Sequence, residues 1–182
     1  MDNKYQLSAL TIVLHWLVAF LVIAAIAIGY YMSGLPNGPA AAKWVQLHKS
    51  IGVIILFVAV LRLGWRWKNG WLNALSSQPI WQNTVSKWVL GLLMVATLVM
   101  PISGITMSYA GGHDIRVFGY LFLPGAEHKI KALSSMAWEV HETTAIVLLV
   151  LIGIHLLATI KHQWIDKDSV LRRMLGFRVD AE

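Results

Sequence analysis

The chain has 182 residues, of which 57% are hydrophobic and 13% are charged, and its mean hydropathy is +0.62. This composition is too apolar for a water-soluble domain of this length and indicates an integral membrane protein. The net charge is +6, but the basic residues lie at the ends of apolar runs, so membrane topology and anionic lipid explain them better than nucleic acid does. The chain has no cysteine, which excludes disulfides, thiolate-bound iron–sulfur clusters and covalently attached c-type haem.

Four apolar runs are long enough to cross a bilayer, and they predict an all-α integral membrane four-helix bundle that forms one domain over residues 1–182. The first run is too long for the apolar part of a signal peptide and is interpreted as a retained helix. The predicted spans are approximately Leu10–Met32, Trp44–Trp67, Thr84–Tyr109 and Ala137–His162, and a loop of about Ala110–Met136 joins the last two.

The third predicted span contains no histidine, and Pro101 predicts a kink within it. We expect this helix to close the bundle rather than to bind a ligand. In the loop that follows, Ile130–Leu133 is predicted to form a short helix at the membrane interface.

An even number of spans places both termini on one side of the membrane. That side carries ten Lys and Arg residues: Lys4, Arg62, Arg66, Lys68, Lys87, Lys161, Lys167, Arg172, Arg173 and Arg178. The other side carries five, namely Lys43, Lys49, Arg116, Lys129 and Lys131. The positive-inside rule therefore predicts cytoplasmic termini and an external loop between the third and fourth spans.

Histidines within the spans are the most informative polar residues. His141 and His155 are fourteen residues apart, so on a helix they share a face and are separated by about 21 Å along the axis. By the order in which the spans cross the bilayer, His48 lies in the outer half with His141, and His15 lies in the inner half with His155. Ionisable side chains inside a bilayer are expensive and usually functional.

Each layer draws one imidazole from each of two helices, which is the requirement for a six-coordinate haem held by axial histidines. Two layers predict two haems, and without cysteine these are non-covalent haem b. A structural zinc site fits less well, because it takes three or four ligands in one place and only Glu139 and Glu142 are available near the outer layer. The alternative is that the four histidines hydrogen-bond to backbone or serine groups.

Three further residues are assigned to the haem sites. Gly29 shares a face with His15 and leaves room for a bulky group, although it can also serve close helix packing. Gly52 lies one turn after His48. Arg62 shares a face with His48, and it either pairs with an anion or extends its side chain to the interface.

The sequence resembles the bacterial cytochrome b561 family over essentially its whole length. The resemblance is carried by the order and spacing of Leu14-His15-Trp16-Leu17, Leu47-His48-Lys49-Ser50-Ile51-Gly52, Arg62-Leu63, Trp138-Glu139-Val140-His141-Glu142-Thr143, Gly153-Ile154-His155 and the tail Lys167-Asp168-Ser169-Val170-Leu171-Arg172-Arg173-Met174. It implies a four-helix protein of the bacterial inner membrane with two haems b, which moves electrons between the periplasmic side and the ubiquinone pool. It also implies that His15, His48, His141 and His155 are the axial ligands.

On this interpretation Arg62 and Arg66 are candidates to neutralise the inner haem propionates, and Lys49 and Arg116 are candidates for the outer ones. His162 lies two turns beyond His155 and is either an interfacial residue or the proton-exchanging group of a quinone site. His113 and His128 are loop residues, either solvated or at the mouth of the outer site. Superoxide would suit an outer haem edge lined by Lys49, Arg116, Lys129 and Lys131, although neighbouring carboxylates nearly cancel that charge.

Two other functions stay open from the sequence alone. The chain can be a cytochrome subunit that exchanges electrons with a separate periplasmic redox enzyme. It can also be a haem-free transporter or membrane scaffold.

Overall fold

The computed structural model describes residues 2–3, 5–72, 75 and 79–179. Lys4, one of the basic residues counted above, lies outside the described residues. The helices are α1 (Ala9–Ser33), α2 (Pro39–Asn69), α3 (Ile80–Ala110), α4 (Lys131–Trp164) and the short α5 (Val170–Met174); the strands are β1 (Ile115–Val117) and β2 (Tyr120–Leu123).

Helices α1 to α4 are each long and apolar enough to cross a membrane. The chain is therefore an all-α, multi-pass membrane protein, as its apolar runs predict. Ser8 caps the start of α1 by accepting a hydrogen bond from the Thr11 amide, and the helix ends before the turn at Gly34. Helix α3 continues through Pro101, which is buried.

The side chains sort by environment as expected for a bundle in lipid. A buried apolar cluster lies between α1 and α2 and contains Leu14, Val18, Val22, Ala25, Ile55 and Val58. Large apolar side chains cover the outside of the bundle, for example Phe20 at 65% exposure and Leu61 at 64%. In water such a surface would drive association, but in a bilayer it contacts acyl chains.

The two ends of the chain meet at one end of the bundle. The Val179 amide donates to the Tyr5 carbonyl at 3.0 Å, and the Trp16 indole donates to the Met174 carbonyl at 2.9 Å. These contacts hold α5 against the start of α1. The termini therefore lie on the same side of the membrane.

The connection between α3 and α4 is more ordered than the sequence suggested. Strands β1 and β2 form an antiparallel hairpin, which was not predicted. The separate interfacial helix predicted at Ile130–Leu133 is wrong, because α4 begins at Lys131 and runs on without interruption. No glycine or proline lies between Lys131 and the predicted start of the span at Ala137, so nothing breaks the helix there.

Candidate functional site

The structure brings His48 on α2 and His141 on α4 together at the end of the bundle opposite the termini. We call these two residues the outer pair, after their predicted position. Their ring centroids are 6.1 Å apart, and both rings are half-buried. His48 Nδ1 lies 3.1 Å from the Ala25 carbonyl, and His141 Nδ1 lies 3.0 Å from the Met100 carbonyl. A carbonyl oxygen only accepts, so Nδ1 carries the proton in both rings and Nε2 keeps a free lone pair, as metal coordination requires.

Each of the two outer imidazoles contacts a glycine and a backbone carbonyl of a neighbouring helix. His48 packs on Gly29, four residues after Ala25 in α1, and His141 packs on Gly104, four residues after Met100 in α3. A Cβ at Gly29 would lie 3.3 Å from the His48 ring, and one at Gly104 would lie 3.1 Å from the His141 ring. The missing side chain lets each ring reach the carbonyl one turn earlier. All four long helices thus contribute to this site.

His15 on α1 and His155 on α4 form a second pair, called the inner pair, at the other end of the bundle. Their ring centroids are 6.3 Å apart. Arg62 Nη2 lies 3.4 Å from His15 Nδ1, and because a guanidinium only donates, His15 accepts at this nitrogen. The inner pair therefore matches the outer pair in spacing and differs in the hydrogen bond that holds the ligand ring.

The spacing of both pairs fits one metal ion between two imidazoles. Ion-to-nitrogen bonds of about 2 Å place the centroids of two opposed rings roughly 6 Å apart. Both observed separations agree with this value. Beside the outer pair, Gly52 faces open space with no atom within 4 Å of where its Cβ would be, so a planar group has room next to His48.

The two arginines predicted to lie near the inner site have different partners. Arg66 forms an ion pair with Asp2 and donates to the Thr11 hydroxyl at 2.7 Å, and the side chains of Arg66 and Asp2 are only 10% and 7% exposed. Among the described residues, no carboxylate pairs with Arg62, which donates a hydrogen bond to His15. Arg62 is therefore the cation beside the inner pair that an added anion can approach.

Asp2 joins the N-terminal segment to α2. Burial acts to raise the pKa of Asp2, but hydrogen bonds from Arg66, Ser8 and Thr11 outweigh it and hold the pKa well below its usual range. The carboxylate is thus charged at neutral pH and fixes this segment beneath the inner pair.

His162, near the end of α4, is bonded to a carboxylate. Its Nδ1 lies 2.6 Å from Asp168 Oδ2 and 3.5 Å from Asp166 Oδ2. Asp168 is buried and also accepts from the Val170 amide at 3.2 Å, so it is itself held in place. The arrangement is a histidine oriented by a fixed carboxylate, two helical turns from His155.

The basic residues predicted near the outer site divide into two groups. Lys49 lines the space beside His48 and His141, and its amino group donates to the Asp114 carbonyl at 3.3 Å. Arg116 lies on β1, where it pairs with Asp114 at 3.2 Å. Lys129 and Lys131 are exposed, as are His113 and His128.

Asp114 is the acid that balances this positive charge. The backbone amide of Gly125 and the side chain of Arg116 donate to its carboxylate and hold its pKa below the usual value. Asp114 therefore stays charged at neutral pH and offsets part of the positive charge at this end of the molecule.

Comparison with known proteins identifies the family. A profile of the prokaryotic cytochrome b561 family matches residues 6–177. The chain belongs to the prokaryotic cytochrome b561 family. It is accordingly a b-type cytochrome of the bacterial membrane that takes part in electron transfer. Membership of the family implies that it binds haem b.

Three relatives show the range of names within the family. The chain is 34% identical to cytochrome b561 homolog 2 of Escherichia coli over 89% of this chain and 87% of the relative. It is 31% identical to a probable superoxide oxidase CybB of Yersinia pestis, over 96% and 97% of the two chains. It is 26% identical to a cytochrome b562 of Cereibacter sphaeroides, over 96% and 98%.

The sequence analysis missed the contribution of α3. This helix was expected only to close the bundle, yet its Met100 carbonyl, Ser103 hydroxyl and Gly104 surround the His141 ring. A signal was present, because Gly104 lies at the same predicted depth as His141. The histidine pattern does not identify α3 as part of the site, because this helix contains no histidine.

Proposed function

We propose that this cytochrome binds two haems b, one between His48 and His141 and one between His15 and His155. The observation that carries the proposal is the presence of two histidine pairs near opposite ends of the bundle, each with a ring separation of about 6 Å. Bound haem supplies a centre that accepts and donates one electron at a time. His141 and His155 on α4 are about 21 Å apart along the helix axis, and two bound haems would occupy part of that gap.

The protein's own groups hold and orient these ligands. The Ala25 and Met100 carbonyls keep the outer imidazoles in the tautomer that offers Nε2, and Gly29 and Gly104 give them the space to do so. On the inner side Arg62 is the residue best placed to neutralise a propionate, because no carboxylate among the described residues forms an ion pair with it. If the Arg62 guanidinium paired with such an anion instead of with His15, the Nδ1 atom of His15 would be able to carry the proton.

Arg66 and the outer cations take secondary roles in this proposal. Arg66 already holds Asp2, so it contributes positive potential near the inner propionates. Lys49 lines the outer space and is the nearer candidate for the outer propionates. Arg116 is held by Asp114 on the hairpin and is the more distant one.

Superoxide is the electron donor that we assign to the outer side. The similarity to a relative named probable superoxide oxidase supports this choice, as does Lys49 beside the outer pair. Two superoxide anions would each lose one electron and leave as dioxygen. A positive side chain at the point of entry favours the approach of a small anion.

Ubiquinone is the acceptor that we assign to the inner side. Its reduction to the quinol takes two electrons and two protons, so the site requires a group that exchanges protons with water. His162 is suited to this task, because an imidazole both accepts and releases protons and Asp168 holds its ring in a fixed orientation. The bacterial inner membrane, with both termini in the cytoplasm, is the location consistent with this direction of flow.

The test is a haem count followed by a turnover assay. Purified protein in detergent should contain two haems b per chain, and superoxide should reduce both and produce quinol from a short-chain ubiquinone. A protein with only one haem per chain would contradict the two-site proposal. Two haems without superoxide-dependent quinol formation would leave the cytochrome intact and point to a separate redox enzyme as its external partner.

A further inference from the structure

The hairpin of β1 and β2 carries an exposed apolar surface. Phe118, Tyr120, Leu121 and Phe122 are 63%, 83%, 53% and 45% exposed. Four large apolar or aromatic side chains in a run of five residues form an unusually apolar surface for a loop in water. The remaining residue of that run is Gly119.

The hairpin lies alongside a membrane-spanning helix rather than beyond its end. Lys49 contacts the Asp114 carbonyl just before β1, while the Phe122 ring lies 6.2 Å from the ring of Phe57 on the same helix. Lys49 and Phe57 are eight residues apart, which is about 12 Å along α2. The hairpin thus extends from the level of Lys49 towards the middle of the span.

Three backbone groups of the hairpin form hydrogen bonds with side chains. The Ser50 hydroxyl accepts from the Phe118 amide at 3.1 Å and lies 3.2 Å from the Arg116 carbonyl. Arg116 in turn donates to the Gly119 carbonyl at 3.4 Å. Non-helical backbone at membrane depth is tolerated only where its polar groups are satisfied by protein.

The turn of the hairpin contains a residue that turn geometry does not favour. Phe118 and Gly119 form a two-residue connection in which both φ angles are positive, at 48° and 94°. Asn-Gly is the preferred pair in such a turn, because a non-glycine residue in the left-handed region is strained. We therefore expect the Phe118 side chain to make a favourable interaction that offsets the strain of its backbone.

We propose that the hairpin Ile115–Leu123 is immersed in the leaflet opposite the termini, from the headgroup boundary into the acyl-chain region, and that its apolar surface binds lipid. The surface is continuous with the lipid-facing side of α2 through the contact between Phe122 and Phe57, which is itself 57% exposed. Aromatic residues are favoured at this depth, and Arg116, paired with Asp114, suits the headgroup layer.

Lipid on the hairpin would give the outer site a hydrophobic wall. Ile115 on β1 is only 1% exposed and lines the space beside His48 and His141, whereas the turn and β2 carry the exposed apolar side chains. The hairpin then separates the outer histidine pair from water laterally. Access for a water-soluble donor is left to the end of the bundle, where Lys49 lies.

Fluorescence quenching in bilayers tests the proposal. Because the native chain has no cysteine, Tyr120→Cys and Leu121→Cys can each be labelled with an environment-sensitive dye and reconstituted into phosphatidylcholine–phosphatidylglycerol vesicles. Glu127→Cys, exposed in the same loop, is the water control, and Leu61→Cys, exposed on α2, is the lipid control. The haem spectrum of each labelled protein reports that the fold is intact.

We expect both hairpin labels to be quenched several-fold more by phospholipids with a nitroxide near the top of the acyl chain than the Glu127 label is. Aqueous iodide should quench them several-fold less. Iodide quenching equal to that of the Glu127 label would show that the hairpin is in water and available to a soluble partner, and would overturn the proposal. Protection from both quenchers would also overturn it, because it would indicate that a second copy of the chain covers the hairpin.

Discussion

Two glycines determine where the outer imidazoles can lie, and this makes them sensitive positions. Replacing Gly104 by alanine would put a methyl group 3.1 Å from the His141 ring and separate its Nδ1 from the Met100 carbonyl. Alanine is favoured over glycine in a helix by about 1 kcal/mol, so α3 itself should not be weakened. We expect Gly104→Ala to lower outer-haem occupancy or shift its absorption band, as measured by reduced-minus-oxidised spectra of purified protein.

The matched control for this variant is Gly64→Ala on α2, where no atom lies within 4 Å of the added methyl. It should leave both haem spectra unchanged. Gly29→Ala, with a contact of 3.3 Å to His48, should have a weaker effect than Gly104→Ala. Normal spectra in all three variants would show that the glycines do not position the ligands.

The histidine pairs predict which substitutions should act on the same haem. His48→Ala and His141→Ala should each disable the outer haem, while His15→Ala and His155→Ala should each disable the inner one. The double variant of His48 and His141 should resemble either single variant, because two ligands of one metal act as a unit. Haem content and redox titration report the outcome, with the exposed His128→Ala as the control.

His162 provides a test that separates quinone chemistry from haem binding. His162→Leu should keep both haems yet slow the oxidation of the reduced protein by ubiquinone by roughly 10²–10⁴-fold, the range for a positioned acid–base group. Asp168→Asn retains the shape but not the charge that orients His162, so it should slow the same step by a smaller factor. Unchanged rates in both variants, measured by stopped-flow absorbance, would assign His162 to a structural role.

The residue-level picture was only partly predictable. The relative depths of the four histidines follow from their positions in the apolar runs, because successive spans cross the membrane in opposite directions. The carbonyls of Ala25 and Met100 could not be identified in this way, because every residue has a carbonyl. Selecting these two requires the helix rotations that place Gly29 and Gly104 against the rings.

At the scale of elements, long apolar runs predicted the helices because a bilayer allows few other structures to cross it. The hairpin was not predicted, because its sequence carries no comparably strong local pattern. Its strands are three and four residues long, and its Phe118–Gly119 turn lacks the Asn-Gly or Asp-Gly pair that marks a tight connection. Its position depends on tertiary contacts with Ser50 and Phe57, which no local pattern records.

The N-terminal segment is held by an ion pair whose pH dependence has a definite sign. The pKa of Asp2 is held below its usual range, so its stabilising effect is complete above about pH 4 and is lost only as the pH falls through the lowered value. We expect Asp2→Asn to lower the unfolding free energy by about 2 kcal/mol at neutral pH, because Arg66 loses its charged acceptor.

Thermal unfolding in detergent at pH 7 and pH 4 measures this effect. The native protein should keep the contribution of Asp2 at both values, and Asp2→Asn should be destabilised by a similar amount at each. Glu127→Gln, at an exposed carboxylate, is the control and should change little. A destabilisation seen at pH 7 but absent at pH 4 would mean that Asp2 is already protonated at pH 4.

At the scale of the whole molecule, the two ends of the bundle are built from different elements. At the end with the inner pair, α1 contacts α2 through a hydrogen bond from the Trp65 indole to the Thr11 hydroxyl at 2.8 Å and contacts α5 through the bond from Trp16 to the Met174 carbonyl. The other end carries the ordered loop with Lys49 beside the outer pair. This asymmetry suits a small soluble donor at one end and a lipid-soluble acceptor at the other.

The direction of electron flow across the membrane depends on which end faces the cytoplasm. The bias of ten Lys and Arg residues against five predicts cytoplasmic termini. The loop that is predicted to be external offers Glu127 as a labelling site, whereas Gly125 is unsuitable because a Cβ there would lie 2.5 Å from the Gly112 carbonyl carbon. Glu127→Cys should react with a membrane-impermeant maleimide in intact spheroplasts, and Phe177→Cys, exposed in the tail, should react only after permeabilisation.

The reverse pattern of labelling would move the outer pair to the cytoplasmic side. Lys49 would then face the cytoplasm, and superoxide from the periplasm would have no route to the histidine pair beside it. The two haem sites would survive such a result, because they depend on ring separations within the bundle and not on its orientation. Labelling at Glu127 and Phe177 therefore tests the assignment of donor and acceptor to the two ends independently of haem binding.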